Sequence, residues 1–277
     1  MKNNQTLANG ATVTIYPTTT EPTNYVVYLH GGGMIYGTKS DLPEELKELF
    51  TSNGYTVLAL DYLLAPNTKI DHILGTLTET FQLLNEEIIQ NQPFGLCGRS
   101  AGGYLMLQLT KQLQTLNLTP QFLVNFYGYT DLEFIKEPRK LLKQAISAKE
   151  IATIDQTKPV WDDPFLSRYL LYHYSIQQAL LPHFYGLPEN GDWSAYALSD
   201  ETLKTFPPCF STASSSDEEV PFRYSKKIGR TIPESTFKAI YYLEHDFLKQ
   251  TKDPSVITLF EQLDSWLKER EAIKKFY

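Results

Sequence analysis

Cysteine is scarce in this chain: Cys97 and Cys209 are the only two in 277 residues. Two thiols cannot build the crosslinked framework that stabilises small secreted domains. No apolar run approaches the roughly 18 residues of a membrane span. The longest runs, such as Tyr25 to Leu29 and Val57 to Leu60, are strand-sized. The opening Met-Lys-Asn-Asn-Gln-Thr has no apolar stretch of the kind a secretory leader needs. Positive charge is in deficit, with 25 Lys+Arg against 32 Asp+Glu and a net charge of −7. A sequence-independent nucleic-acid binder needs the opposite balance to pair with phosphates. Internal repeats and low-complexity linkers are missing too. These absences predict a cytoplasmic protein with no membrane span and no nucleic-acid partner.

What is present is an ordinary globular balance, 42% hydrophobic and 21% charged residues, over a length that can bury a substantial core. Aromatics are plentiful, with Tyr 18, Phe 15 and Trp 3. Nine of them fall between Trp161 and Tyr196, about twice the density of the whole chain.

Short apolar β-type runs alternate with longer helical patterns. Asn9-Gly10 reads as a two-residue hairpin turn ahead of a strand over Thr12–Tyr16. Strands follow at 25–30, 55–60, 94–97 and 122–126, then at 208–211 and 236–243. Helical spacing appears from Leu42 to Phe50, from Ile70 to Ile88, and over 101–113, 221–229 and 256–269. Such alternation predicts an α/β fold with a mostly parallel central sheet covered by helices on both faces. The pattern breaks over residues 130–207, too long for a bare loop, so one domain over 1–277 with an inserted helical cap is expected. Within it, Phe165, Tyr169, Tyr172, Ile176 and Leu180 recur at helical spacing. That face either packs the cap onto the body or lends some of its rings to a substrate pocket.

Gly98-Arg99-Ser100-Ala101-Gly102 sits between a strand and a helix. A nucleophilic serine needs its Oγ exposed on a sharp strand-to-helix turn, where side chains two residues before and after would clash, hence G-x-S-x-G. His30-Gly31-Gly32-Gly33 follows an earlier strand. A glycine run lets several N–H groups converge on one oxygen, as a tetrahedral oxyanion requires. A phosphate loop would continue Gly-Lys-Ser/Thr, whereas Met34 follows here. Of the five histidines, only His245 lies just after a late strand, which makes it the general base. Asp217 follows the strand before it and is the favoured acid, with Asp131 in reserve. Glu218 and Glu219 read as the solvated first turn of the following helix, favoured there by its dipole. Cys97 reads as a small buried residue and not as a nucleophile.

Taken in order, His30-Gly-Gly-Gly, Asp61-Tyr-Leu-Leu-Ala-Pro66, Gly98-Arg-Ser-Ala-Gly-Gly103, Asp217 ahead of Val-Pro and Glu244-His-Asp246 resemble the hormone-sensitive-lipase-like esterases of the α/β-hydrolase superfamily. The resemblance spans roughly residues 11–130 and 207–275 and fades across the insertion. Two positions depart from the family's usual wording: Arg99 stands where it has aspartate, and Leu63 where it has arginine. The resemblance implies an α/β-hydrolase fold and a Ser100–His245–Asp217 triad acting on a small-molecule ester. It implies an oxyanion hole from the N–H groups of Gly32, Gly33 and Ala101, with no metal and no organic cofactor. Tyr36, Arg99, Tyr169 and Tyr172 are candidate pocket residues. Two alternatives remain open at this point. One is a peptidase or amidase with the same triad, suggested by Asp217-x-x-Val-Pro. The other is a catalytically silent relative that binds ligand in the old pocket.

Overall fold

A computed structural model describes residues 2–18, 24–136 and 139–274. The outermost ends of the expected domain and positions 137–138 of the expected cap lie outside the described residues. Eight strands form one sheet: β1 (Asn3–Thr6), β2 (Thr12–Tyr16), β3 (Asn24–Leu29), β4 (Tyr55–Leu60), β5 (Phe94–Arg99), β6 (Leu123–Phe126), β7 (Cys209–Ser214) and β8 (Thr236–Ile240). Their spatial order is β1-β2-β4-β3-β5-β6-β7-β8. β1 and β2 pair antiparallel, β2 runs antiparallel to β4, and every pairing from β4 to β8 is parallel.

The central strands are apolar on both faces, as a parallel sheet sandwiched by helices requires. Side chains alternate between two cores with a period of two. Val27, Leu29, Leu58, Leu60 and Leu96 enter one apolar cluster, while Val26, Tyr28, Val57, Ala59 and Cys97 enter the other. The first cluster is covered by α2 (Ile70–Leu84) and α3 (Ala101–Thr115), the second by α1 (Glu44–Ser52) and the long C-terminal helix (Pro254–Lys274). Both thiols are fully buried in the sheet, and burial pushes the Cys97 thiol well above its ordinary range. Among the described residues, no helix is long and apolar enough to cross a membrane.

Three local expectations are corrected. The hairpin before β2 is closed by Leu7 N–H donating to the Ala11 carbonyl at 2.8 Å, so its loop holds Ala8-Asn9-Gly10, three residues rather than two. Helix α2 does not continue to Ile88: at Asn85–Ile89 it widens into a π turn. The extra residue per turn moves the buried position to Ile89 and leaves Ile88 half-exposed. The helical face expected from Phe165 to Leu180 is shorter than its spacing implied, because Phe165 precedes the helix and is 92% exposed.

Residues 130–207 hold the short helices α4 (Ala148–Ile151), α5 (Tyr169–Gln177), α6 (Leu181–Tyr185) and α7 (Asp200–Leu203). Leu171, Tyr172, Ile176, Phe184, Tyr185, Trp193 and Tyr196 from this stretch belong to the first apolar cluster. Most of the local excess of aromatics therefore packs this region onto the body. Arg168 adds a polar anchor: its guanidinium donates to the carbonyls of Ile35 at 2.7 Å and Ala65 at 2.8 Å.

Candidate active site

The C-terminal ends of β5, β7 and β8 bring three distant residues together. Ser100 caps β5 at φ 53° and ψ −119°, a left-handed conformation that non-glycine residues adopt only under constraint. The glycines on either side make that turn possible. A Cβ on Gly98 would lie 2.2 Å from the Gly102 carbonyl oxygen, and one on Gly102 would lie 2.1 Å from that of Leu29. Helix α3 begins at Ala101, directly after the serine. Ser100 Oγ lies 2.8 Å from His245 Nε2, and His245 Nδ1 lies 2.7 Å from Asp217 Oδ2. Asp217 is held in turn, since its Oδ1 accepts the backbone N–H groups of Glu219 at 2.9 Å and Val220 at 2.8 Å. Asp131 is engaged elsewhere: it accepts from the Tyr224 hydroxyl at 2.6 Å and the Glu133 N–H at 3.1 Å.

The glycine turn after β3 closes the other side of the site. Gly32 and Gly33 have φ of +96° and +59°. A Cβ on the first would meet the Tyr36 carbonyl oxygen at 2.0 Å, and one on the second would meet the Tyr172 ring at 2.2 Å. Among the described residues, the N–H groups of Gly32, Gly33 and Ala101 have no protein acceptor. The turn is braced from two sides that its own sequence does not reveal. Tyr185 donates to the Gly33 carbonyl at 2.7 Å, and Tyr62 to the His30 carbonyl at 2.9 Å. The only sequence signal for Tyr62 was its place in Asp61-Tyr-Leu-Leu-Ala-Pro66; Tyr185 gave none.

A cavity of about 830 Å³ opens over Ser100 and His245. Tyr36 and Tyr169 line it, their rings meeting edge to face with centroids 5.5 Å apart. Tyr172 lies behind them, buried, with its hydroxyl donating to Glu219 Oε1. Glu219 is thus not the solvated helical turn expected of it. The next helix, α8 (Arg223–Thr231), starts four residues later, and the glutamate sits on the cavity wall. Burial disfavours a charged imidazole at His245, but Glu219, Asp217 and Asp246 outweigh it. The ring is pushed up to about 9 from an ordinary 6.5.

Arg99 lines the cavity, and its charge is taken up by two acids of the same wall. The side chain is buried and forms ion pairs with Asp41 and, at 2.8 Å, with Asp246. Asp41 also accepts from the Tyr28 hydroxyl at 2.8 Å, and Asp246 from the Tyr127 hydroxyl at 3.0 Å. One guanidinium next to the serine therefore grips the residue after the histidine. Leu63 lies in the apolar core, away from this network. The two departures from the usual motif are thus separate events, not an exchange of partners. Replacing Arg99 with methionine leaves Asp41 without its cation and should lower stability by about 3 kcal/mol, the scale for breaking a buried pair. Urea unfolding checks this, and a loss under about 1 kcal/mol would show the network to be dispensable.

Among the described residues, no group of three or more His, Cys, Asp or Glu side chains is arranged to hold a metal ion. The chemistry this arrangement can perform is that of an activated hydroxyl facing unpaired N–H donors.

A family model described as "alpha/beta hydrolase fold" matches residues 26–182, more than half of the chain. A crystal structure of an alpha/beta hydrolase superfamily protein from Enterococcus faecalis is 98% identical, with a TM-score of 0.96, covering 97% of this chain and 99% of that one. A protein with unknown function from Staphylococcus aureus is 27% identical, with a TM-score of 0.84, covering 97% and 98%. Among curated proteins, Carboxylesterase/phospholipase LipF from Mycobacterium tuberculosis is 30% identical over 99 residues. That match spans 36% of this chain and only about a quarter (26%) of the relative's length.

Proposed function

The chain belongs to the α/β-hydrolase fold family, and from that membership we propose that it is a serine hydrolase cleaving small to medium acyl esters through an acyl-enzyme on Ser100. The observation that carries the reading is the continuous line from Ser100 Oγ through the His245 ring to Asp217, with contacts of 2.8 and 2.7 Å. The carboxylesterase similarity of the mycobacterial relative points the same way.

In this mechanism Ser100 Oγ bonds to the ester carbonyl carbon while His245 Nε2 takes its proton. Asp217 holds the ring in the tautomer that leaves Nε2 free to accept, and stabilises the imidazolium that forms. The N–H groups of Gly32, Gly33 and Ala101 receive the developing oxyanion, each such donor contributing about 3 kcal/mol. Collapse of the tetrahedral intermediate expels the alcohol, which leaves with the proton from His245. Water then attacks the acyl carbon, His245 takes its proton, and the acid departs as Ser100 is restored. No step draws on a metal or organic cofactor. Two unpaired buried thiols suit the reducing cytoplasm as the place of action.

A series of p-nitrophenyl esters of rising chain length, run beside aminoacyl anilides across pH, tests the reading. We expect ester turnover well above anilide turnover. The sign of the pH dependence follows from His245, which must be neutral to act as base. With its ring pushed up to about 9, activity climbs as pH rises from neutral and levels off only near that value. Hydrolysis of anilides alone would move the assignment to an amidase, and a flat profile between pH 6 and 9 would show that the His245 ring is already neutral at pH 6, against its raised value.

A further inference from the structure

Charge in the cavity is unevenly balanced. Of the acids on its wall, Asp41 is paired with Arg99, and Asp246 with both Arg99 and Lys249. The remaining three, Glu218, Glu219 and Glu244, form no ion pair with any lysine or arginine among the described residues. Of the wall's basic groups, Arg99 and Lys249 are engaged, burial holds His173 below its ordinary value, toward the neutral form, and His245 is already paired with Asp217, so the three glutamates remain in excess. Glu219 is the most enclosed of the three: its carboxylate accepts from the Tyr172 hydroxyl, the Tyr172 ring meets that of Tyr36, and Tyr36 and Tyr169 line the same cavity.

A carboxylate backed by aromatic rings is a receptor for an alkylammonium group, which is attracted by the negative charge and by the ring faces together. That a ligand enters the cavity follows from the serine at its floor; the three glutamates decide what charge it carries. Resting on the ester reading above, we propose that the preferred substrate is an ester bearing a positively charged alkylammonium group, received by Glu219 with Tyr36 and Tyr169. Esters with a free carboxylate or a phosphate are disfavoured by the same wall.

The test compares choline butyrate with its uncharged isostere, in which carbon replaces the quaternary nitrogen. We expect kcat/KM for the cation to exceed that for the isostere by about tenfold at low salt, and the ratio to shrink as salt screens the glutamates. In Glu219→Gln the ratio should fall toward one. Because both esters use the same His245, any change in that ring's proton affinity cancels in the ratio. A measurement without any variant guards against misfolding: choline should inhibit hydrolysis of the neutral ester at lower concentration than its uncharged isostere alcohol. A ratio of one in the unaltered protein, equal inhibition by the two alcohols, or a ratio that Glu219→Gln leaves intact would overturn the proposal. Turnover of the neutral ester reads the ester assignment separately, so its absence would count against that assignment and not against the charge preference.

Discussion

Ser100→Ala is expected to abolish ester turnover, with kcat falling by about six orders of magnitude, the scale at which loss of a triad nucleophile acts. The reason is geometric as much as chemical. Ser100 stands at φ 53° because β5 ends and α3 begins at that residue, and the glycines at 98 and 102 leave room for the turn. No other hydroxyl takes its place, because the side chain must lie within reach of both His245 Nε2 and the three unpaired N–H groups. Alanine preserves the backbone while deleting the atom that forms the bond. The variant should therefore fold with unchanged stability and still bind substrate. Residual activity within about tenfold of the starting protein would mean that hydrolysis, if present, runs through another group.

The second large effect concerns the acid. Asp217→Asn should lower kcat by about four orders of magnitude, while Asp131→Asn should leave it within a few-fold. Asparagine fits the space of Asp217, but its amide can donate to His245 Nδ1. That favours the tautomer carrying the proton on Nε2, which cannot accept the serine proton. The negative charge that stabilises the imidazolium during attack is lost as well. Asp131 follows β6 and is the reserve acid from the chain order, but its Oδ1 accepts from Tyr224 and Glu133 and its Oδ2 from Thr130. Rate measurements on both variants, with folding checked by circular dichroism, decide the matter. An intact rate in Asp217→Asn together with an abolished one in Asp131→Asn would reverse the assignment.

Where the candidate site depends on short-range backbone geometry, its turns are readable from residues alone. Gly98-x-Ser100-x-Gly102 and the glycine turn at 31–33 announce themselves because no other residue fits those turns. The alternation of strands and helices led to the sheet for a similar reason: apolar period and turn residues are local. The candidate acid and base needed chain order as well, and the structure brings the expected His245 and Asp217 beside Ser100.

What escaped reading was set by tertiary contacts. Glu219 looked like a helix-dipole partner because its neighbours are polar, and only the approach of Tyr172 from α5 places it on the cavity wall. Tyr185 and Arg168 hold the turn after β3 from more than a hundred residues away, through backbone carbonyls that carry no side-chain signal. Arg99 read as a pocket residue from its place next to the serine and does line the cavity, but only the structure shows its charge taken up by Asp41 and Asp246. Spacing likewise overstated the helix through Phe165, since an exposed ring keeps the period without taking part in the fold.

The most direct test of the account is covalent. Incubated with a fluorophosphonate and analysed by intact and peptide mass spectrometry, the protein should gain a single adduct on the peptide containing Ser100, and Ser100→Ala should gain none. A protein that turns over esters yet takes no label at Ser100, or one that labels equally well in the alanine variant, would contradict the claim that Ser100 carries the acyl group.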